Sequence, residues 1–355
     1  MRLKMPFLRR RKLPFSVARE LLRICRDDAN QRGKGKGRLR VVDSKKNYKS
    51  STFYVGYEGD APEYAIKIEE QGALSRWNPQ REMQGLEFAM RALRGSGHTA
   101  IVPVGYSLRP NLLVTRYQEG RLLRPIFDRG ITGWWRRKQL DDASTRAEDI
   151  AEWLRVFRSS GTSVKDGMGA ARLWENCRGR ANELNESVGP SVRMNELLRK
   201  VRHYLEVCPN TVLSELENAK AVHGDLAPQN FIVVPSGKLC ALDLEGFHFS
   251  PLEEDMCSFR ERMVNYSLRG MCARRRAQLV WQAFAESYNM PVLGFLSYVH
   301  RLMAKLAFRH VHPERRRGPF KTGIRMKLWA RSRFEWLSEL PYELEPAVKQ
   351  FYQRL

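Results

Sequence analysis

The 355-residue sequence has no long hydrophobic run and no closely spaced pair of cysteines. No stretch of about 18 apolar residues is present, so a membrane-spanning helix is not expected. The six cysteines are widely separated and form no CxxC pair, which argues against a dense disulfide scaffold and a short-spaced zinc site. Reduced, mostly buried thiols are expected instead, and they favour a cytoplasmic location.

Acidic residues are also few relative to basic ones. The chain has 62 Lys and Arg residues against 39 Asp and Glu residues, a formal net charge of +23. This balance favours anionic partners such as nucleic acid, phosphorylated sugars and acidic lipid head groups. The basic residues 1–15 lack the apolar centre of a signal peptide, so any membrane contact is expected to be peripheral, at the inner face.

Strand patterns come first in the chain and helical patterns follow. Runs rich in Val, Tyr, Phe and Ile predict antiparallel strands at Arg38–Asp43, Thr52–Tyr57, Tyr64–Ile68, Ile101–Leu108 and Asn111–Tyr117. Apolar spacings of three and four predict helices at Ser16–Arg26, Gln80–Arg94, Ala147–Arg158, Met194–Val207, Arg274–Tyr288 and Leu293–Phe308. This order favours an α+β protein with a small sheet lobe and a larger helical lobe.

A predicted hairpin with polar residues at its ends interrupts the helical region. Asn230 opens the first strand and Asp243 closes the second, so the two side chains should lie at neighbouring ends of a rigid element. There an amide oxygen and a carboxylate can share a metal ion, and Asp225 lies on the loop just outside. Phosphoryl transfer needs such parts, namely oxygen ligands for Mg²⁺ and a carboxylate that orients the acceptor hydroxyl. The predicted hairpin strands are Phe231–Val234 and Leu239–Leu244.

Residues 223–233, HGDLAPQNFIV, resemble the catalytic loop of the aminoglycoside phosphotransferase and choline kinase group, which is related to the protein kinases. The family pattern is His-Gly-Asp, four residues, and an Asn followed by apolar residues. Leu242-Asp243-Leu244-Glu245 matches the family's metal-binding strand end. The resemblance implies a protein kinase-like two-lobed fold, with Asp225 as catalytic base and Asn230 and Asp243 as magnesium ligands. It also implies that Asp255 helps to hold the catalytic loop.

The same resemblance implies nucleotide-binding residues upstream. Lys67, in the third predicted strand, matches the lysine that contacts the α- and β-phosphates of ATP. Glu82 is the expected helix partner of Lys67, and Glu87 is the alternative. No GxGxxG motif precedes Lys67, but family members often use a Ser-rich turn, which points to Ser51 and Thr52 as phosphate contacts.

These residues predict an ATP- and Mg²⁺-dependent phosphotransferase. A basic extension is expected at 1–34, a nucleotide-binding lobe at 35–118 with adenine near 116–120, and a catalytic and acceptor-binding lobe at 119–355. The acceptor is expected to be a hydroxyl of a small molecule or saccharide. The charge favours an anionic sugar or glycolipid, while an aminoglycoside or amino alcohol stays open. The oligomeric state is not predicted.

Two alternatives remain. A nucleic-acid-binding protein would explain the charge, but no nucleic-acid-binding motif is present. A non-catalytic pseudokinase scaffold is disfavoured because every residue expected for catalysis is intact. Basic clusters are either solvated faces or contacts for an anionic acceptor or membrane surface. They lie at 9–12, 136–138, 274–276 and 315–317, with Trp134 and Trp135 beside the second and a basic, aromatic stretch at 321–337.

Overall fold

The computed structural model describes residues 15–33, 39–46, 50–57, 61–69, 77–133, 137–160, 169–188, 192–207, 210–269, 272–289, 297 and 299–301. The strands are β1 (Leu39–Lys46), β2 (Ser50–Tyr57), β3 (Tyr64–Glu69), β4 (Thr99–Ala100), β5 (Pro103–Leu108), β6 (Asn111–Arg116), β7 (Arg121–Leu122), β8 (Lys220–Val222), β9 (Phe231–Val233), β10 (Leu239–Ala241) and β11 (His248–Ser250). The helices are α1 (Phe15–Gln31), α2 (Pro79–Ala92), α3 (Arg124–Phe127), α4 (Arg137–Ser159), α5 (Ala170–Val188), α6 (Val192–Val207), α7 (Asn210–Leu213), α8 (Glu254–Ser267) and α9 (Ala273–Tyr288).

The described residues fall into two compact units. The first unit is drawn from 1–125 and 223–248, and the second from 126–222 and 249–355. The domain boundaries at 34/35 and 118/119 stay predictions. Several expectations fall outside the described residues, namely those for 1–14, Trp134 and Trp135, 315–317, 321–337 and most of Leu293–Phe308. Within the described part of the chain, no helix is both long and apolar enough to cross a membrane.

An antiparallel sheet in the order β1-β2-β3-β6-β5 forms the main part of the first unit. Its strands correspond to the five runs predicted upstream of residue 118. Helix α1, longer than the predicted Ser16–Arg26, contributes Val17, Leu21, Ile24 and Cys25 to the core of this sheet. The periodicity of α1 and the alternation of the strands therefore place their apolar side chains in one core. Burying each of the larger side chains contributes roughly 1.5–3 kcal/mol to stability.

A partly buried polar cluster joins α1 to the sheet. Asp28 accepts hydrogen bonds from Arg116 at 2.8 Å and from the Tyr64 hydroxyl at 3.0 Å. Arg32 lies 2.8 Å from the same carboxylate. Burial raises the pKa of Asp28, but the hydrogen bonds from Arg116 and Tyr64 outweigh burial and hold that pKa below its usual value. The stabilisation by ionised Asp28 is therefore present at neutral pH and is lost as the pH falls through this lowered pKa.

Asp28→Asn is expected to lower the free energy of unfolding by about 2 kcal/mol, because it removes a charge that is hydrogen-bonded and mostly buried. The neighbouring Asp27→Asn is the matched control, since Asp27 is exposed and lies 3.5 Å from exposed Arg23. That substitution should change the free energy by about 0.5 kcal/mol or less. Urea unfolding of both variants checks this, and equal effects would contradict the role of the cluster.

The predicted hairpin also lies in the first unit. It forms a second sheet in the order β4-β10-β9-β7, where β9 and β10 pair antiparallel through Phe231–Ala241 and Leu239–Val233. Strand β7 was not predicted, because two residues carry no alternation pattern. Gly120 precedes this strand, and a Cβ there would lie 2.8 Å from the Val233 carbonyl oxygen. The close approach of β7 to the hairpin therefore requires glycine.

The second unit is mostly helical. Helices α4, α8 and α9 pack together around an aromatic stack in which the Phe259 and Phe284 rings lie 4.4 Å apart. The sequence pattern predicts α4, α6 and α9 but misses α5 and α8. Helix α8 is buried on nearly every side, including its charged Asp255, Arg260 and Glu261, so it shows no amphipathic stripe. The α+β architecture predicted from the sequence, an antiparallel N-terminal sheet followed by a mainly helical remainder, is confirmed.

Candidate active site

One face of the five-stranded sheet forms the wall of a cavity of about 580 Å³ within the first unit. Directly paired residues of antiparallel strands place their side chains on the same face. Lys45 pairs with Thr52, and Thr52 pairs with Lys67. All three line the cavity. A row of two lysines with a hydroxyl between them is a suitable surface for the oxygens of a polyphosphate.

A second row of side chains lies beside the first on the same face. It comprises Asp43, Tyr54, Ala65 and Thr115, all of which line the cavity. The register shifts between Val41 and Asp43, which marks a β-bulge. The bulge re-aims the strand and places Asp43, rather than its neighbour, in this row.

Lys67 is the centre of a partly buried charge cluster, in which Glu82 is the buried carboxylate. Its Nζ lies 2.8 Å from Glu82 Oε2, 3.4 Å from Asp243 Oδ1 and 3.7 Å from Glu245 Oε2. Burial disfavours the ammonium, but the three carboxylates outweigh burial and raise the pKa of Lys67. Burial raises the pKa of Glu82 to about 7, against the opposing effect of Lys67. Lys67 therefore keeps its positive charge near neutral pH, whereas Glu82 titrates there.

Close packing of helix α2 brings Glu82 to this cluster. Asn78 caps the helix by accepting a hydrogen bond from the Arg81 backbone N–H at 3.2 Å, which places Glu82 in the first turn. One turn further on, a Cβ at Gly85 would lie 2.7 Å from Phe247 and 2.9 Å from Leu244. Only glycine lets the helix approach the segment that follows β10 so closely, and that segment carries Asp243.

The loop that contains Asp225 is held by its own backbone. Gly224 has φ = 88°, and a Cβ at this position would overlap the Gly246 carbonyl, so the loop requires glycine. The Asn230 side-chain amide donates to the Asp225 carbonyl at 2.8 Å and lies 3.4 Å from Asp225 Oδ2. Asp225 itself is exposed, whereas Asn230 is buried. The loop thus presents a carboxylate to solvent from a fixed backbone.

Asn230 and Asp243 have the donor set expected for a magnesium site. The Leu242 backbone N–H donates to the Asn230 carbonyl at 2.9 Å. Asp243 is the next residue after Leu242, so Asn230 and Asp243 are close to each other across the hairpin. The Asn230 amide nitrogen bonds to Asp225, which leaves its side-chain oxygen as the available ligand. Among the described residues, no group of three or more His, Cys, Asp or Glu side chains is placed to hold a metal. The two residues therefore fit Mg²⁺ that also takes ligands from nucleotide phosphates.

The other predicted site residues are placed as follows. Thr52 faces the cavity, but Ser51 is buried on the opposite face of β2 and is not part of the lining, so its hydroxyl does not face the predicted phosphate site. The predicted adenine segment contributes Arg116, Tyr117, Gln118 and Gly120 to the lining. Asp255 is fully buried in the first turn of α8, in the second unit.

Sequence reasoning overlooked several cavity residues. Lys45 lies outside the predicted strands, and Asp43, Tyr54 and Thr115 lie within them, but no local motif marks any of the four as a site residue. What these residues share is the strand period of two. Side chains that pair directly with Lys67 across the strands, or that lie two positions along the strands from it, are on the same face of the sheet. That signal becomes usable only when the register is known, because a shift of one residue moves every side chain to the other face.

The comparisons with known proteins bear on the fold. No protein-family model matches the chain, and no curated protein matches it. A crystal structure of an aminoglycoside phosphotransferase from Alicyclobacillus acidocaldarius is similar to it with a TM-score of 0.53 and 16% identity, covering 87% of this chain and 94% of that one. A glucosamine kinase in complex with glucosamine, ADP and inorganic phosphate is similar with a TM-score of 0.51 and 15% identity, covering 89% and 85%. The chain therefore has the kinase-like fold of the aminoglycoside phosphotransferases, and the resemblance inferred from its catalytic loop is confirmed at the level of the fold.

Proposed function

We propose that the protein is an ATP-dependent phosphotransferase that transfers the γ-phosphate to a hydroxyl of a small molecule or saccharide. The observation that carries this proposal is the charge cluster in the first unit, where the Lys67 ammonium lies 2.8 Å from Glu82 and 3.4 Å from Asp243. A lysine held between carboxylates at the wall of a large cavity suits the binding of phosphate oxygens.

Nucleotide binding would use the sheet face. Lys67 and Lys45 provide positive charge, and the hydroxyl of Thr52 lies in register between them. The segment 116–120 would border the adenine, consistent with its place in the cavity lining. Asn230 and Asp243 would hold Mg²⁺, which neutralises charge on the transferred phosphoryl group when it is bound.

Asp225 would orient the acceptor hydroxyl and take its proton. It is exposed, so an acceptor can reach its carboxylate, and its backbone is fixed by the Asn230 side chain. A carboxylate on a fixed backbone suits this role, because phosphoryl transfer depends mainly on positioning and on charge stabilisation. Orientation of the hydroxyl therefore contributes more than strong proton abstraction.

The fold and the charge support the proposed acceptor class. The similar glucosamine kinase structure holds glucosamine, which supports a small hydroxyl-bearing acceptor. The net charge of +23 favours acceptors that carry negative charge, such as anionic sugars or glycolipids. Peripheral contact with an anionic membrane surface would accompany a glycolipid acceptor and is part of the same proposal.

The test is ADP formation from Mg-ATP, measured by a coupled assay against a panel of neutral sugars, anionic sugars, amino sugars, aminoglycosides, amino alcohols and glycolipids. At least one acceptor should raise ADP formation well above the acceptor-free rate. ATP binding without transfer to any acceptor would favour the pseudokinase scaffold. Salt-sensitive binding of RNA or DNA without ADP formation would favour the nucleic-acid-binding alternative.

The raised pKa of Glu82 predicts the pH dependence of activity. Below about pH 7, Glu82 becomes protonated and no longer provides an anion for Lys67, so kcat/KM for ATP should fall as the pH is lowered through this value. A pH–rate profile checks this trend, and an unchanged acid limb in Glu82→Gln would contradict the assignment.

The stability of the fold should change with pH in the opposite direction. Because the pKa of Glu82 rises from 4.5 to about 7 on folding, the stabilising contribution of protonated Glu82 is complete below pH 4.5 and is lost as the pH rises through 7.

A further inference from the structure

Trp77 lies immediately before helix α2 and is buried, with 6% of its surface exposed. Its backbone N–H donates to Glu69 Oε1 at 3.1 Å. The other oxygen of Glu69 accepts a hydrogen bond from the Asn111 side-chain amide at 2.6 Å. Glu69 ends β3 and Asn111 begins β6. The backbone of Trp77 is therefore tied to the sheet that carries Lys67.

The helix cap fixes the spacing between Trp77 and Glu82. Because Asn78 is the capping residue, Trp77 is the residue before the cap and Glu82 is the fourth helical residue. Side chains at these two positions often make an apolar contact that sets the entry angle of the chain. Here the contact is polar, since Trp77 Nε1 donates to Glu82 Oε2 at 2.6 Å.

Trp77 contacts both members of the ion pair. Glu82 Oε2 accepts from Trp77 Nε1 and also from Lys67 Nζ, at 2.6 and 2.8 Å. The Lys67 ammonium lies 5.0 Å from the centroid of the indole ring. A hydrogen bond to a buried carboxylate and a cation over an aromatic face are both strengthened by desolvation. One side chain thus restrains the carboxylate and the ammonium together.

We propose that Trp77 is a positioning residue for nucleotide binding: its indole N–H fixes the Glu82 carboxylate, and its ring fixes the Lys67 ammonium where the phosphates bind. The inference rests on the proposed function, because that function makes nucleotide phosphates the ligand of Lys67. A tryptophan that only filled space would affect folding, but it would have no specific coupling to Glu82.

The first experiment compares two tryptophan variants. Trp77→Phe keeps an aromatic ring and removes the N–H donor. Trp153→Phe is the matched control, because Trp153 is fully buried in the second unit, where it stacks on Phe157 at 4.8 Å. Calorimetric titration with Mg-ADP should show about tenfold weaker binding for Trp77→Phe and unchanged binding for Trp153→Phe. Trp77→Tyr, which keeps a ring with a donor hydroxyl, should retain more affinity than Trp77→Phe. Equal affinities for Trp77→Phe and Trp153→Phe would overturn the proposal.

A double-mutant cycle with Glu82→Gln separates positioning from packing. If Trp77 acts through Glu82, the double variant should bind Mg-ADP no more weakly than Glu82→Gln alone. Independent effects that multiply would overturn the proposal. The same cycle on the melting temperature of the nucleotide-free protein should also be non-additive, and additive shifts would count against the coupling. If the wild-type protein binds no Mg-ADP, the proposed function fails, while the melting cycle still decides whether Trp77 and Glu82 act as a unit.

Discussion

Asp225→Asn is expected to lower phosphoryl transfer by about a thousandfold, within the range that a positioned general base contributes. Asparagine keeps the size of the side chain but cannot take a proton from the acceptor hydroxyl. Because Asp225 is exposed, the substitution should leave folding intact. The affinity for Mg-ATP should also change little, since the Lys67–Glu82 pair does not involve this residue. Steady-state kinetics with the best acceptor and calorimetry with Mg-ADP measure the two quantities.

The control for this prediction is Asp141→Asn, which removes an exposed carboxylate from α4 in the second unit. Its kcat should equal that of the wild-type protein. Undiminished transfer in Asp225→Asn would remove Asp225 from the mechanism. A parallel loss of melting temperature in that variant would mean that its defect is structural.

Glu82→Gln is expected to lower kcat/KM for ATP by about a hundredfold, because small displacements of a positioned group have effects of this size. The neutral amide preserves the shape of the buried side chain but no longer neutralises Lys67. Of the acidic residues that the structure describes, Asp243 and Glu245 then remain near Lys67, which should move toward them and away from the sheet row that faces the cavity. Initial rates over a range of ATP concentrations measure the effect.

Glu87→Gln is the matched control, since Glu87 lies on the same helix and was the alternative partner of Lys67 in the sequence. This substitution should change kcat/KM by less than about twofold, as expected for a helix acid outside such a cluster. Equal losses in the two variants would mean that the substitutions act through helix stability. A loss in Glu87→Gln alone would contradict the geometry of the ion pair.

The sequence predicts the parts of the fold that have strong periodicity. The five strands of the first sheet and helix α2 follow from patterns that are long enough to show a period, and the hairpin follows from a turn between two apolar runs. Strands of two or three residues, such as β7 and β8, are too short to show alternation. Helix α5 is missed for another reason: its buried Leu173, Cys177 and Ala181 have helical spacing, but two of the three are small side chains that make only a weak apolar stripe.

The candidate site is predicted best where a local motif carries it. The loop from His223 to Asn230 and the segment after β10 that carries Asp243 are each recognisable within a few residues of sequence. Trp77, Lys45 and Asp43 cannot be found in that way, because their roles depend on a helix cap, on strand register and on a bulge. These features bring together residues that are distant in the sequence, and no local pattern specifies which residues meet.

The most direct test of the central claim is ³¹P NMR of Mg-ATP with the best acceptor, in the presence of the wild-type protein and of Asp225→Asn. The wild-type protein should convert the γ-phosphate signal of ATP into a phosphate monoester signal with matching growth of ADP, and Asp225→Asn should leave ATP unchanged on the same timescale. Formation of inorganic phosphate alone, or an equal monoester signal with Asp225→Asn, would contradict phosphoryl transfer at this site.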